Sequence, residues 1–120
     1  MIYGDGIQTR SFCDVRDTAA ALDLLAGCPA AYGEIVNVGN DQEISIENLA
    51  RLVIERAGTR SEIRRISYKD AYGEEFEDVS HRRPVLDKLR RLTGFTPKWT
   101  LVDTLDDLIA RETVGEIQAA

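Results

Sequence analysis

The segment from Ile44 to Gly58 constrains this chain more than any other. Ser45 stands where an N-cap side chain accepts from free N–H groups, Ile44 and Leu49 hold hydrophobic-staple positions, and Ile46, Leu49, Ala50, Val53 and Ala57 recur at helical spacing before Gly58. Such a helix carries an apolar stripe that has to be buried against another element. Partners for it follow from the rest of the chain. Ile35-Val36-Asn37-Val38-Gly39 is a β-branched run between Gly33 and Asn40-Asp41, and predicts a buried strand over 35–38. Asp17 as N-cap and Gly27 as stop predict a helix over 17–26 with Ala21, Leu22 and Leu25 inward. Pro84 suits the first turn of a helix over 84–93 carrying Val85, Leu86, Leu89 and Leu92, which Gly94 ends. Thr100 with Asp103 opens a last helix over 101–112 bearing Leu101, Leu105, Leu108 and Ile109, with fraying expected after Thr113. Short extended segments are read at 7–15 and 62–67, and a loop over 70–83. The result is a small mixed α/β fold of about four helices and a few short strands. No repeat or linker divides it, so residues 1–120 read as one domain.

Hydrophobic residues make up 43% of the chain and charged residues 30%, a balance that supports a packed core and not disorder. The net charge of −6 opposes general affinity for nucleic acid, so any phosphate has to be held locally. Cys13 and Cys28 have no partner at metal-ligand spacing, which reads as two reduced thiols and no metal site. No apolar run reaches the roughly 20 residues that cross a bilayer, so a cytoplasmic protein without membrane contact is expected. Met1 directly before Ile2-Tyr3-Gly4 reads like the middle of a longer sequence.

Few residues offer catalytic chemistry. Gly4-x-Gly6 has Thr9 where a dinucleotide fingerprint has its third glycine, and no strand is read before it. No tyrosine is followed four residues later by lysine, the helical spacing at which an ammonium lowers a phenol's pKa; Tyr68-Lys69 lacks it. His81, the single histidine, reads as a surface or loop residue. The acidic group Glu74, Glu75, Glu77 and Asp78 lacks a calcium-loop pattern and reads as a solvated loop. Arg10 differs. In an extended segment it shares a face with Gln8 and Phe12, which combines a guanidinium fork, an amide and a flat apolar surface suited to a nucleotide diphosphate. The competing reading is a surface ion pair with Asp14 or Asp17. Arg82 and Arg83 carry the same two readings.

Taken together, Gly4-Asp5-Gly6-Ile7-Gln8-Thr9-Arg10-Ser11-Phe12-Cys13-Asp14-Val15-Arg16-Asp17 resembles the Gly-x-Gly-x-Gln-x-Arg-x-Phe-x-x-Val-x-Asp segment of NAD-dependent nucleotide-sugar epimerases and dehydratases, extended short-chain dehydrogenase/reductases. The likeness continues through Ile35 to Asn40, Ser45 to Ala50, Arg83-Pro84 and Leu92 to Pro97, in the family's order. It implies the C-terminal, substrate-binding lobe of such an enzyme, without the Rossmann domain that binds NAD and carries the Tyr-x-x-x-Lys pair. Arg10 is then implied to contact the diphosphate, Gln8 and Phe12 to line the nucleotide site, and Asp78 to approach the ribose hydroxyls. Several relatives place an arginine where this chain has Glu75, and Arg82 or Arg83 is the implied substitute. The Tyr72-Gly73-Glu74-Glu75-Phe76-Glu77-Asp78 loop is similar to that of UDP-sugar epimerase-like and UDP-glucuronate decarboxylase-like proteins, which favours a UDP-sugar.

The resemblance implies NAD in the complete enzyme, none bound to this part, and no catalytic residue within it. The alternative is a non-catalytic module that binds a sugar nucleotide or a protein partner. On either reading, the purified chain with NAD is expected to give no interconversion of UDP-glucose and UDP-galactose; measured turnover would contradict it.

Overall fold

The structure, a computed structural model, describes residues 1–73 and 78–119, residues 113–119 by their backbone alone. In chain order the elements are β1 (Ile2–Tyr3), β2 (Thr9–Ser11), α1 (Val15–Ala26), a 3-10 turn (Pro29–Ala31), β3 (Glu43–Ser45), α2 (Ile46–Arg56), β4 (Arg65–Ile66), α3 (Tyr68–Tyr72), β5 (His81–Arg82), α4 (Asp87–Thr93) and α5 (Leu101–Ala119). The small mixed α/β class read from the sequence is what forms. The chain falls into two compact units, one of Met1–Arg10, Ile44–Arg82 and Leu105–Ala120, the other of Ser11–Glu43 and Arg83–Thr104.

In the first unit β1 runs parallel to β4, with Ile2 opposite Arg65 and Tyr3 opposite Ile66. β2 is the middle of a second sheet ordered β3-β2-β5, and pairs in parallel with β5. The first turn of α2 is tied to the β1–β2 connection: the Ile46 and Glu47 N–H groups donate to the carbonyls of Gln8 and Gly6. Ser45 caps α2 as expected, accepting from the Asn48 N–H at 3.2 Å. Its apolar stripe is less covered than periodicity predicts. Ile46 and Leu49 are half-buried and Val53 is 37% exposed, because the helix packs on β1, a strand of two residues, too narrow to cover three turns.

In the second unit Ala21 of α1, Leu86, Leu89 of α4 and Phe95 form the buried core, with Leu25, Val36 and Val38 packed against it. Four expectations are corrected here. Helix α1 begins at Val15, one turn early, capped by Asp14, whose carboxylate accepts from the Arg16 N–H at 2.8 Å. Asp17 is instead buried inside the first turn and accepts the N–H groups of Lys98 and Trp99 at 3.0–3.1 Å. Residues 35–38 form no strand: their backbone makes no ladder bonds to the described residues, and the 84–88 segment beside them is met through side chains, Asn37 Nδ2 donating to the Val85 carbonyl at 3.2 Å and Lys88 Nζ to the Ile35 carbonyl at 3.0 Å. Helix α4 starts at Asp87 and not at Pro84, leaving Val85 64% exposed, because Arg82 is still in a strand and Leu86 keeps non-helical dihedrals.

Elsewhere, Leu22 and Leu108 face out. The predicted loop over 70–83 contains the end of α3 and all of β5, the extended segment 7–15 keeps strand pairing only over Thr9–Ser11, and α5 continues past Thr113 to Ala119. Gly94 ends α4 in the left-handed region, φ 69°, as its position predicts.

Replacing Asp17 by alanine leaves two inward N–H groups without an acceptor. At ~1–3 kcal/mol for each unsatisfied buried donor, the loss is expected to be about 2–6 kcal/mol in urea unfolding, and Asp17→Asn, which keeps one oxygen, is expected to lose less. Equal stability of wild type and Asp17→Ala would show that these bonds carry no net energy.

Candidate functional site

Gln8, Arg10 and Asp78 meet in the first unit around a residue that the sequence reading passed over, Tyr68. The Tyr68 hydroxyl donates to Asp78 Oδ2 at 2.8 Å. It accepts from Gln8 Nε2 at 2.7 Å, and the same amide nitrogen donates to the Tyr3 carbonyl at 3.1 Å. Arg10 Nη2 lies 2.5 Å from Asp78 Oδ1, while Nη1 donates to the carbonyls of Thr9 and Val79. Three of the five guanidinium N–H groups are thereby used, and two are left without a bond among the described residues.

Local structure explains how these groups come together. Strand β2 holds Arg10 opposite Arg82 in the parallel pair with β5, which brings the 78–80 segment alongside. Ser67 caps α3, accepting from the Asp70 N–H at 3.1 Å, and so fixes the start of the helix that carries Tyr68. Gly4 has φ +76°, and a Cβ there would sit 2.5 Å from the Tyr68 ring, so glycine is needed both for the turn and for the ring's approach.

The network borders two clefts. One, of about 260 Å³, is walled by Ile2, Tyr3, Ile46, Tyr68 and Tyr72, with Arg10 and Asp78 at its polar side. Tyr3 and Tyr72 are in tilted contact, ring centroids 5.3 Å apart. The other, of about 190 Å³, lies toward Asp5, Ile7, Ser80 and His81. The hydrogen bond from Tyr68, with the Arg10 charge behind it, holds the Asp78 carboxyl below the usual carboxylate range, although partial burial opposes this. Burial pushes the Tyr68 phenol up, and donation to Asp78 adds to it. At neutral pH the site thus has one carboxylate, one guanidinium and one protonated phenol.

The other predicted site residues are placed differently. Phe12, 40% exposed, and Arg83, with Nε 3.9 Å from Glu43, belong to the second unit. Glu75 lies outside the described residues. The competing reading of Arg10 named the wrong carboxylates: Asp14 pairs with Arg16, Asp17 holds backbone N–H groups, and Arg10 pairs with Asp78. His81 is exposed in β5 with Nδ1 2.9 Å from Thr9 Oγ1. No described group of three or more His, Cys, Asp and Glu has metal-binding geometry, and both cysteines are free thiols. The chain after Gly4 and Gly6 runs into β2, so no helix N-terminus follows the glycines to meet a dinucleotide pyrophosphate. Gly4 and Gly6 therefore make no dinucleotide-binding turn. No described helix is long and apolar enough to cross a membrane.

Comparison with known proteins shows what the chain as a whole is similar to. The chain is 34% identical over 97 residues to a UDP-N-acetyl-alpha-D-glucosaminuronate decarboxylase of Bacillus cytotoxicus, covering 81% of this chain but only 30% of the relative. Among solved structures it resembles MoeE5 in complex with UDP-glucuronic acid and NAD, at 25% identity and a TM-score of 0.76, covering 93% of this chain and 36% of the other. The fold is shared with the epimerase Mth375 of Methanothermobacter thermautotrophicus, at 22% identity and a TM-score of 0.80, covering 99% and 34%. The chain therefore spans about a third of the length of these relatives. No family model matches it.

Asp78, with its folded pKa depressed, contributes stability that is fully present above its unfolded value near about 4 and is lost as pH falls through the folded pKa. Tyr68→Phe removes the largest cause, so the Asp78 carboxyl is expected to titrate closer to the ordinary value, read by carboxyl ¹³C chemical shifts between pH ~2 and 6. A titration identical to wild type would show that Arg10 and the Val79 N–H set this group without Tyr68.

Proposed function

We propose, from the premise that this chain matches about a third of the extended short-chain dehydrogenase/reductases of the nucleotide-sugar epimerase and dehydratase kind, that it holds the nucleotide diphosphate of a sugar nucleotide. In this reading its 120 residues act as the substrate-binding part. Arg10 contacts the diphosphate, Gln8 and Phe12 line the nucleotide, Asp78 meets the ribose hydroxyls, and Arg83 assists at the phosphate position where Glu75 cannot. A UDP-sugar is the favoured ligand: the Bacillus cytotoxicus relative is named for a UDP-sugar, and MoeE5 was solved with one.

The observation that carries the reading is the meeting of Gln8, Arg10 and Asp78 at one cleft beside Tyr3 and Tyr72, with two Arg10 N–H groups unengaged among the described residues. Two N–H donors on one planar group suit phosphate oxygens, and flat aromatic walls suit a base. Such a site contributes by positioning the sugar, without an acid, base or nucleophile of its own. Hydride chemistry belongs to NAD, which MoeE5 binds and which this part is not expected to hold. Whether the sugar is epimerised, dehydrated or decarboxylated is decided by groups beyond these residues.

Calorimetric titration of UDP into the intact protein tests this. Arg10→Ala is expected to cost about 1.5–3 kcal/mol, the range of a hydrogen bond to a charged group, or roughly tenfold to a hundredfold in affinity, with Arg10→Lys recovering part. Melting temperatures recorded alongside separate a site role from a structural one: unchanged UDP affinity with a lowered melting temperature would make the Arg10–Asp78 pair a structural ion pair only.

A further inference from the structure

We propose that the cleft between α2 and β4 binds a phosphate group, at a site separate from the nucleotide cleft and independent of it. The cleft holds about 510 Å³, more than either cleft beside Tyr68, and is lined by Arg51, Ile54, Glu55, Ser61, Ile63 and Arg65. All six belong to the first unit. The sequence itself sets this stretch apart: residues 51–65 contain five arginines and two glutamates, in a chain whose net charge is −6. A local excess of cations on an acidic background holds an anion at one place and not over the whole surface.

Two of these arginines are held side by side by one carboxylate. Arg51 Nε and Nη2 donate to Glu47 Oε1 at 3.3 and 2.7 Å, and Arg65 Nη2 donates to Glu47 Oε2 at 2.7 Å. Each member is placed by the backbone. Glu47 lies in the first turn of α2, where its N–H donates to the Gly6 carbonyl; Arg51 follows it by one helical turn; and Arg65 is set by the parallel register of β4 with β1, opposite Ile2. The bonds from Arg51 and Arg65 hold the Glu47 carboxyl below the usual carboxylate range, so at neutral pH the trio is one anion between two cations and carries a net positive charge. Of the ten guanidinium N–H groups three are used, which leaves three on Arg51 and four on Arg65 without an acceptor among the described residues.

The rest of the lining suits phosphate too. Ser61 Oγ accepts from Thr59 Oγ1 at 3.2 Å, so its own proton is available to donate. Ile54 and Ile63 are half-buried and supply apolar walls, beside which a cation attracts an anion more strongly than in open water. Glu55 in the lining and Glu62 in the adjoining loop repel a polyanion that has to extend along the whole face, which favours one compact phosphate received by two guanidinium forks.

NMR titration of the intact protein at constant ionic strength tests this, reading the Nε–Hε signals of Arg51 and Arg65 against that of Arg10 in the nucleotide site. With inorganic phosphate the first two are expected to shift together and to saturate with a roughly millimolar Kd. Phenyl phosphate, whose ring can lie on Ile54 and Ile63, is expected to bind several times tighter, which makes a phosphorylated molecule the occupant; equal affinity assigns the site to free phosphate. Arg51→Gln and Arg65→Gln, both at exposed positions, are each expected to weaken phosphate binding roughly tenfold with the melting temperature little changed, and Glu55→Gln to tighten it. Shifts that rise linearly without saturating, saturable shifts that persist unchanged in both arginine variants, or shifts at Arg10 alone overturn the proposal. Binding of single-stranded DNA but not of phosphate makes the face a polyanion surface and overturns it too. UDP affinity is read at Arg10, so the loss of either site leaves the other standing.

Discussion

Tyr68 has one hydroxyl proton, and giving it to Asp78 orients every group around it. Having donated, the oxygen can only accept, so the Gln8 amide has to present its nitrogen, which also suits the Tyr3 carbonyl. That leaves Gln8 Oε1 buried without a partner among the described residues. Asp78 turns its other oxygen to Arg10, whose remaining bonds go to backbone carbonyls on both sides of the β2–β5 pair. A single chain of polar contacts thus joins β1, β2, α3 and the residues before β5, where strands of two or three residues provide few ladder bonds of their own.

The second unit is organised by buried acids in a different role. Asp14 caps α1 and binds Arg16 and Thr104, and the Arg16 and Thr104 bonds hold its carboxyl well below the usual range. Asp17 fastens the 98–99 turn to the same helix. Arg16 in turn stacks over Trp99, 3.4 Å from the ring centroid. These carboxylates are committed to backbone and neighbouring side chains, which is why neither of them is Arg10's partner. The core they frame is small, and Val36 and Val38 of the extended run 35–38 pack against it.

How much of this is readable from sequence differs from element to element. Ser45 and the stripe of α2 locate that helix to within a residue, because a cap and its N–H groups are three positions apart. Two aspartates both suit the start of α1; Lys98 and Trp99, more than 80 residues away, draw Asp17 inward and leave the cap to Asp14. Gln8 and Arg10 are visible as neighbours on one extended segment, while Asp78 enters only through the family resemblance. Tyr68 shows no local signal, since its partners are 60 residues before it and 10 after.

By itself, then, the sequence determined what depends on short separations: the small α/β class, the starts of α1, α2, α4 and α5 and the ends of α1, α2 and α4 to within a turn, and the kinship with nucleotide-sugar enzymes carried by Gln8-x-Arg10-x-Phe12. Only the tertiary structure decided which carboxylate Arg10 meets, that a tyrosine joins Gln8 to Asp78, and that the β-branched run 35–38 has no ladder. The physical reason is the same in each case. A cap or stripe is settled by energies between residues a few positions apart, whereas an ion pair, a shared proton or a strand edge requires two distant segments to arrive side by side, and the residue types alone do not say which will arrive.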